Sequence, residues 1–211
     1  DYPNAETTYL RALRLIEGKL AGADRMLMRP LVGLGETYLA TKQHAEGATA
    51  LKRAVDLSRN LDGLFNVEQL EILDPLIECY VALDRLTDAE KENQYAFRVA
   101  ESAYGRNDQR MLEPLDRLAR WYEFVGRYTS ARGLHARALQ VAENAAGRGT
   151  PQSVAALRGL ARSYYLEFIY GPEEAEQPPD PFATNSAMPQ VGQTDIARAV
   201  AARLGIPDAL K

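Results

Sequence analysis

The feature that most constrains the fold is an internal repeat with a period of 42 residues, which continues along the chain without insertions. When the sequence is shifted against itself by this period, one residue type recurs in each of several columns. The columns are Leu31, Leu73, Leu115 and Leu157; Leu34, Leu76, Leu118 and Leu160; Tyr38, Tyr80, Tyr122 and Tyr164; Ala12, Ala54, Ala96 and Ala138; and Gly63, Gly105 and Gly147. Tyrosine accounts for only 11 of the 211 residues, so chance does not explain four at one spacing. Such a period indicates a repeat fold, in which each repeat buries its apolar face against its neighbours.

Within one repeat, the apolar residues have the spacing of two helices. Leu31, Leu34 and Tyr38 occur at i, i+3 and i+7, which places them on one side of a first helix. Gly47 and Leu51 begin a similar pattern on a second helix, and a short turn separates the two. The chain is therefore predicted to be all-α and to consist of helix pairs.

Three local signals predict where helices begin and end. Thr87 with Glu90 is predicted to form a capping box that opens a second helix. Thr150 followed by Pro151 predicts an N-cap and a first-turn proline at the start of the helix at 150–169, which is the first helix of the last repeat. The glycine column follows each second helix, where a left-handed conformation costs glycine least.

The register of the columns sets the predicted boundaries within a repeat array spanning residues 1–170. A partial repeat at 1–23 is followed by repeats at 24–63, 64–105 and 106–147, and by a further first helix at 150–169. Clustered prolines then predict an acidic, proline-rich loop at 171–192. Ile196, Val200 and Leu204, at i, i+4 and i+8, predict an amphipathic helix at 193–206 that caps the end of the array.

The order of small and large residues resembles the tetratricopeptide repeat (TPR). The period of 42, the Tyr104-Gly105 pair that closes a repeat and the Gly126-Arg127-Tyr128 run that begins a helix resemble the kinesin-light-chain-type variant. The resemblance covers about residues 2–170. It implies a right-handed superhelix (solenoid) of antiparallel helix pairs, whose first helices line a concave groove that binds a protein or peptide.

Transfer of the family's groove positions by register gives a candidate peptide-binding set on the first helices. The set is Arg29, Val32, Glu36, Glu71, Asp74, Glu78, Glu113, Asp116, Arg120, Glu123, Arg158, Arg162 and Tyr165. It is acidic in the middle, which favours a basic peptide, and Arg158 and Arg162 are placed to receive a carboxylate. The alternative is that these residues are solvated helix faces. The family's carboxylate clamp is not expected, because Val32, Glu36, Asp74 and Glu78 stand where its Lys, Arg and Asn residues would be.

Composition and motifs exclude several classes of function. The net charge of −4 and pI of about 5.4 argue against nucleic-acid binding, and no apolar run predicts membrane insertion. The single cysteine, Cys79, is predicted to be an inert, mostly buried thiol rather than a redox centre. His44 and His135 fall in packing columns, which favours core roles over catalytic or metal-binding ones, and Trp121 suits the core better than an interface. No phosphate loop, nucleophile elbow or zinc motif is present, so neither an enzyme nor a cofactor is predicted.

A second resemblance concerns cellular role. Residues 62–70, with the sequence DGLFNVEQL, and Asp180-Pro181-Phe182 resemble bacterial envelope proteins in which a periplasmic repeat domain precedes a TonB-like domain. That resemblance implies a periplasmic or cell-envelope location, the cytoplasm being the alternative. It also implies an alternative function as a structural or oligomerising repeat segment. Self-association through the N-terminal end is a related prediction, because the first helix is expected to expose Leu10 and Leu13.

Overall fold

The computed structural model describes residues 2–17 and 25–171, and it contains no strand in these ranges. Two short 3₁₀ turns, Arg25–Leu27 and Gln109–Met111, precede the second and sixth helices. The helices are α1 (Tyr2–Glu17), α2 (Met28–Ala40), α3 (His44–Asp62), α4 (Gln69–Ala82), α5 (Leu86–Tyr104), α6 (Leu112–Phe124), α7 (Tyr128–Ala146) and α8 (Pro151–Tyr170). The all-α prediction is confirmed, and α2/α3, α4/α5 and α6/α7 are the first and second helices of three repeats. The predicted capping helix at 193–206, and the predicted loop beyond Gly171, lie outside the described residues.

The chain divides into two compact units, Asp1–Pro114 and Leu115–Lys211, called here the N-terminal and C-terminal units. In the N-terminal unit, α1 to α5 pack in chain order, and α2 also contacts α4. In the C-terminal unit, α7 packs against α8. None of the described helices is both long and apolar enough to cross a membrane.

The repeated leucine and tyrosine columns form the core of each repeat. Leu73 and Leu115 are fully buried, and Tyr80 and Tyr122 expose only 6% and 1% of their surface. Burying a large side chain of this kind contributes about 1.5–3 kcal/mol, so these columns account for much of the stability of each repeat. Leu13, predicted to be exposed, is only 6% exposed because α1 packs against α2, and Leu10 is half-buried. That expectation was wrong because it treated α1 as unpaired.

The turn from the first to the second helix of each repeat uses a left-handed residue. Lys42, Asp84 and Gly126 share one column and have φ angles of 62°, 57° and 82°. The residue that follows each of them donates its backbone N–H to the carbonyl of the core tyrosine. These bonds are Gln43 to Tyr38 (2.8 Å), Arg85 to Tyr80 (2.8 Å) and Arg127 to Tyr122 (2.7 Å). The turn is therefore repeated in geometry although its side chains differ.

This turn explains why one predicted cap is wrong. α5 begins at Leu86 with Arg85 as its N-cap and no side-chain cap hydrogen bond, so Thr87 lies inside the first turn. Because the left-handed residue and the backbone bond already reverse the chain, the helix starts before a threonine cap can act. The other end signals are confirmed. Thr150 accepts a hydrogen bond from the Ser153 N–H at 3.3 Å, and the glycines that end α3, α5 and α7 have φ angles of 89°, 82° and 87°.

The last described helix does not turn where the earlier first helices do. α2, α4 and α6 have 13, 14 and 13 residues, whereas α8 has 20. Phe168 occupies the column of Lys42, Asp84 and Gly126 but remains helical, and the helix ends at Gly171, which has a φ of 94°. The repeat pattern of a first helix is thus retained in α8 without the turn that would follow it.

Candidate peptide-binding face

The predicted groove residues of the N-terminal unit lie on α2 and α4, two first helices that contact each other. Glu36, Glu71 and Glu78 are exposed, and Asp74 is half-buried. Glu36 and Glu78 occupy the same column of adjacent repeats, so they lie on corresponding sides of their helices. Arg29 is exposed and Val32 half-buried on α2, completing the set predicted for this unit. We call the exposed carboxylates Glu36, Glu71 and Glu78 the acidic face.

The acidic face is unpaired, in contrast to several carboxylates elsewhere in the same unit. Within the described residues, Glu36, Glu71 and Glu78 form no ion pair with any cation. Three carboxylates on α1 and α5 are instead paired with nearby arginines. These pairs are Glu17–Arg53 at 2.6 Å, Glu92–Arg59 at 3.0 Å and Asp88–Arg85 at 2.7 Å. The negative charge of the acidic face is therefore available to a partner.

The remaining predicted groove residues lie on α6 and α8. Asp116 and Arg120 form an ion pair at 2.8 Å one turn apart on α6, where Glu113 is also exposed. On α8, Arg158 and Tyr165 are exposed. These positions do not repeat the acidic character of α2 and α4, because arginines accompany the carboxylates.

Glu123 differs from every other predicted groove residue, because its carboxylate is buried and already bound. His135 Nε2 lies 3.2 Å from Glu123 Oε1, Ser163 Oγ donates to the same oxygen at 2.6 Å, and Arg162 Nε donates to Oε2 at 2.7 Å. Glu123 and His135 are only 8% and 1% exposed. The assignment of Glu123 to the groove was therefore wrong, and Arg162 is held by an internal carboxylate.

The electrostatics of this buried cluster favour the charged form of Glu123. Burial alone raises the pKa of a carboxyl group, but the hydrogen bonds from His135, Ser163 and Arg162 outweigh it and leave the pKa below its ordinary value of 4.5. The cluster joins α6, α7 and α8 within the C-terminal unit. The sequence does contain a signal for this cluster. The equivalent positions of the two earlier repeats hold the apolar residues Leu39 and Val81, so a carboxylate at 123 is in a column that is otherwise apolar.

The same residue types occur in hydrolases, but the geometry here is different. In the serine–histidine–carboxylate arrangement of hydrolases, the serine hydroxyl is hydrogen-bonded to the histidine that removes its proton. Ser163 instead shares its single hydroxyl proton between Glu123 and the Gly159 carbonyl, the latter at 3.1 Å, and its side chain is fully buried. The arrangement holds helices together and does not present a nucleophile to a substrate.

Cys79 and Trp121 are buried as predicted, whereas His44, also predicted to pack in the core, is not fully buried. Cys79 is fully buried, and burial raises the pKa of its thiol to about 11. A Cβ added to Gly47 on α3 would lie 3.0 Å from Cys79 Sγ, so the thiol packs directly against α3. Trp121 is 7% exposed and packs against Phe124 with ring centroids 5.6 Å apart. His44 is half-buried.

A cavity of about 390 Å³ lies between α1, α2 and α3 in the N-terminal unit. Leucines and Tyr38 line it, and the Glu17–Arg53 ion pair stands at its edge. Forty-two residues further along the chain, the positions equivalent to Glu17 and Arg53 are occupied by Arg59 and Tyr95. There the Arg59 guanidinium stacks on the Tyr95 ring, 4.0 Å from its centroid. The cavity could not be predicted from the sequence, because it depends on how side chains of α1, α2 and α3 combine.

Comparison with known proteins identifies the class. Residues 68–144 match the family model described as tetratricopeptide repeat. No curated protein sequence matches the chain. This match and the three repeated helix pairs show that the chain contains tetratricopeptide-type repeats.

Solved structures identify the variant of the fold. The chain is similar to the TPR-like repeats of a putative kinesin light chain from Podosopora anserina, with a TM-score of 0.68 at 16% identity, over 96% of this chain and 88% of that one. A single-residue variant of that protein gives 0.67 at 16% identity, over 97% and 88% of the two chains. BtubC (BKLC) from P. vanneervenii gives 0.63 at 20% identity, over 80% and 67%. The likeness to kinesin-light-chain-type repeats is thus confirmed at the level of the fold.

Proposed function

We propose that this protein is a non-catalytic interaction scaffold that binds a basic peptide segment of a partner protein on the acidic face of α2 and α4. The TPR fold is generally a protein-interaction scaffold, and this supports the class of function. The observation that carries the finer proposal is that Glu36, Glu71 and Glu78 are exposed and unpaired within the described residues. A partner with lysine or arginine side chains at matching spacing would supply the missing cations.

The charge of this face bears on recognition more than on total affinity. A surface of one sign accelerates the approach of an oppositely charged partner and fixes its register. Contacts of this kind suit micromolar binding, which corresponds to about −8 kcal/mol. The interaction would weaken as salt increases, because the carboxylates are exposed and screened.

Neutralising the acidic face tests the proposal. We expect the variant Glu71→Gln/Glu78→Gln to bind lysine- and arginine-containing peptides about tenfold more weakly, since two charge-assisted contacts are lost. The matched control is Glu46→Gln/Glu68→Gln, which removes two exposed carboxylates outside the predicted groove and changes net charge equally. A peptide array, followed by calorimetric titration of the strongest peptides at two salt concentrations, measures the effect.

Two outcomes would contradict the proposal. One is that the wild-type chain binds basic peptides no better than versions in which glutamine replaces every lysine and arginine. The other is that both double variants lose affinity equally, which would mean that net charge rather than the acidic face attracts the peptides.

A second candidate function is a structural or oligomerising role within a larger envelope protein, and one observation favours it. The loop between α3 and α4 exposes 60% of Leu64 and 51% of Phe65. The loop is held in place, because the Tyr95 hydroxyl donates to the Leu64 carbonyl and Gln69 Nε2 donates to the Gly63 carbonyl at 2.7 Å. Light scattering of the wild type and of Phe65→Ser over a range of concentrations tests it. A monomer at every concentration would exclude self-association through this loop.

The periplasmic or cell-envelope location is a separate proposal, which rests on the resemblance of residues 62–70 and 180–182. Several residues of this stretch have structural roles, since Gly63 is left-handed and Asn66 Oδ1 accepts the Glu68 N–H at 3.0 Å. Fractionation of cells that produce the protein, with periplasmic and cytoplasmic marker enzymes, would test the location.

A further inference from the structure

One side of α8 carries an apolar stripe that is less well covered than its counterparts in the earlier repeats. Leu157, Ala161, Tyr164 and Phe168 occur at i, i+4, i+7 and i+11, which places them on one side of the helix. Phe168 is 84% exposed, and the other three are half-buried. The residues in the columns of Leu157 and Tyr164 are buried in α2, α4 and α6. These counterparts are Leu31, Leu73 and Leu115, and Tyr38, Tyr80 and Tyr122.

The earlier repeats show what normally covers this stripe. Gly35 occupies the column of Ala161, and a Cβ added to it would lie 2.4 Å from Leu51 Cγ on α3. This side of a first helix therefore faces the second helix of its own repeat. α8 packs on α7 mainly through a different side, where a Cβ added to Gly159 would lie 2.3 Å from His135 Nδ1. Within the stripe, the Tyr164 ring contacts α7 through the Arg132 guanidinium, 4.7 Å from the ring centroid. The α8 stripe is thus the side that a further second helix would cover.

The same chain supplies a segment with the matching pattern. Beyond Gly171, residues 172–211 lie outside the described part, and Ile196, Val200 and Leu204 follow one another at intervals of four. This spacing places them on one side of a helix, as in the second helices that cover α2 and α4. We propose that residues 194–204 pack on the α8 stripe of the same molecule, in the position that α3 takes on α2 and α5 takes on α4.

Distance and tethering both favour this occupant over a second copy. The 23 residues from 171 to 193 can extend to about 75 Å, well beyond the roughly 30 Å length of a 20-residue helix. A segment attached to the end of α8 also has an effective concentration of about 1 mM or more near the stripe. An equivalent segment on another molecule reaches that level only in very concentrated solution.

A pair of substitutions in the full-length chain tests the proposal. Val200→Asp places a charge on the predicted contact side, whereas Ala202→Asp places the same charge on the opposite side of the same helix. We expect Val200→Asp to increase amide hydrogen exchange in residues 157–168 by about tenfold or more, because burial of an apolar side chain is lost. Ala202→Asp should leave the exchange of these residues close to that of the wild type.

Each other outcome overturns the proposal. If neither substitution changes exchange in α8, or if both change it equally, residues 194–204 do not cover the stripe through the predicted side. If protection of the stripe in the wild type rises with protein concentration, a second copy covers it instead. The readout requires no peptide ligand, so it is independent of the proposed function of the acidic face.

Discussion

At the scale of single residues, Glu123 shows how one substitution changes the role of a repeat position. The equivalent residues Leu39 and Val81 are apolar, whereas Glu123 accepts hydrogen bonds from three side chains on α7 and α8. A buried carboxylate is stable only when its oxygens are satisfied, and here both are. Glu123 therefore acts as a specific link between helices.

Removing the charge of Glu123 should destabilise the protein at neutral pH. We expect Glu123→Gln to lower the free energy of unfolding by about 1–3 kcal/mol, because charge-assisted hydrogen bonds to a buried group are lost. The exposed control Glu71→Gln should change it by less than about 0.5 kcal/mol. Denaturant titration of the three proteins measures both values, and equal effects would show that Glu123 has no special role.

The same residue predicts a pH dependence with a definite sign. The pKa of Glu123 is lowered in the folded protein, so its contribution is complete above its ordinary pKa of 4.5 and is lost as pH falls through the lower folded pKa. Wild-type stability should therefore fall more steeply below pH 4.5 than that of Glu123→Gln. Denaturant titrations at a series of pH values from neutral to acid check this, and parallel curves would contradict it.

At the scale of elements, the turns between paired helices combine a strict geometry with a variable sequence. The left-handed residue is lysine in the first repeat, aspartate in the second and glycine in the third. Sequence comparison cannot find such a position, because the conformation is imposed by the two helices and by the hydrogen bond to the core tyrosine. The glycine column at the ends of the second helices was predictable, because there the residue type itself recurs.

Substitutions at the turn column should have opposite effects in different repeats. Lys42→Gly should stabilise the protein by about 0.5 kcal/mol, because it relieves a left-handed side chain but increases the entropy of the unfolded chain. Gly126→Ala should destabilise it by about 1 kcal/mol through backbone strain alone, since an added Cβ would meet no atom within 4 Å. Thermal unfolding of both variants measures this, and two changes of the same sign would refute it.

At the scale of the whole molecule, the period of the sequence was sufficient to predict the fold class. The leucine and tyrosine columns identified the core, and their register placed the first and second helices of each repeat. The sequence did not predict the Glu123 cluster or the cavity beside α1, because each combines different columns from neighbouring helices. The candidate face was predictable as a set of exposed residues on α2 and α4, but the absence of cations beside its carboxylates required coordinates.

The position of Cys79 allows the separation of α3 and α4 to be measured through the reactivity of its thiol. As the only cysteine, it carries the only thiol, which is fully buried on α4 against Gly47 of α3. A thiol reagent can modify it only when these helices separate, so the labelling rate measures that opening without an introduced probe. A bound peptide that bridges α2 and α4 would slow the labelling. The labelling rate of Cys79 would then report whether the acidic face is occupied.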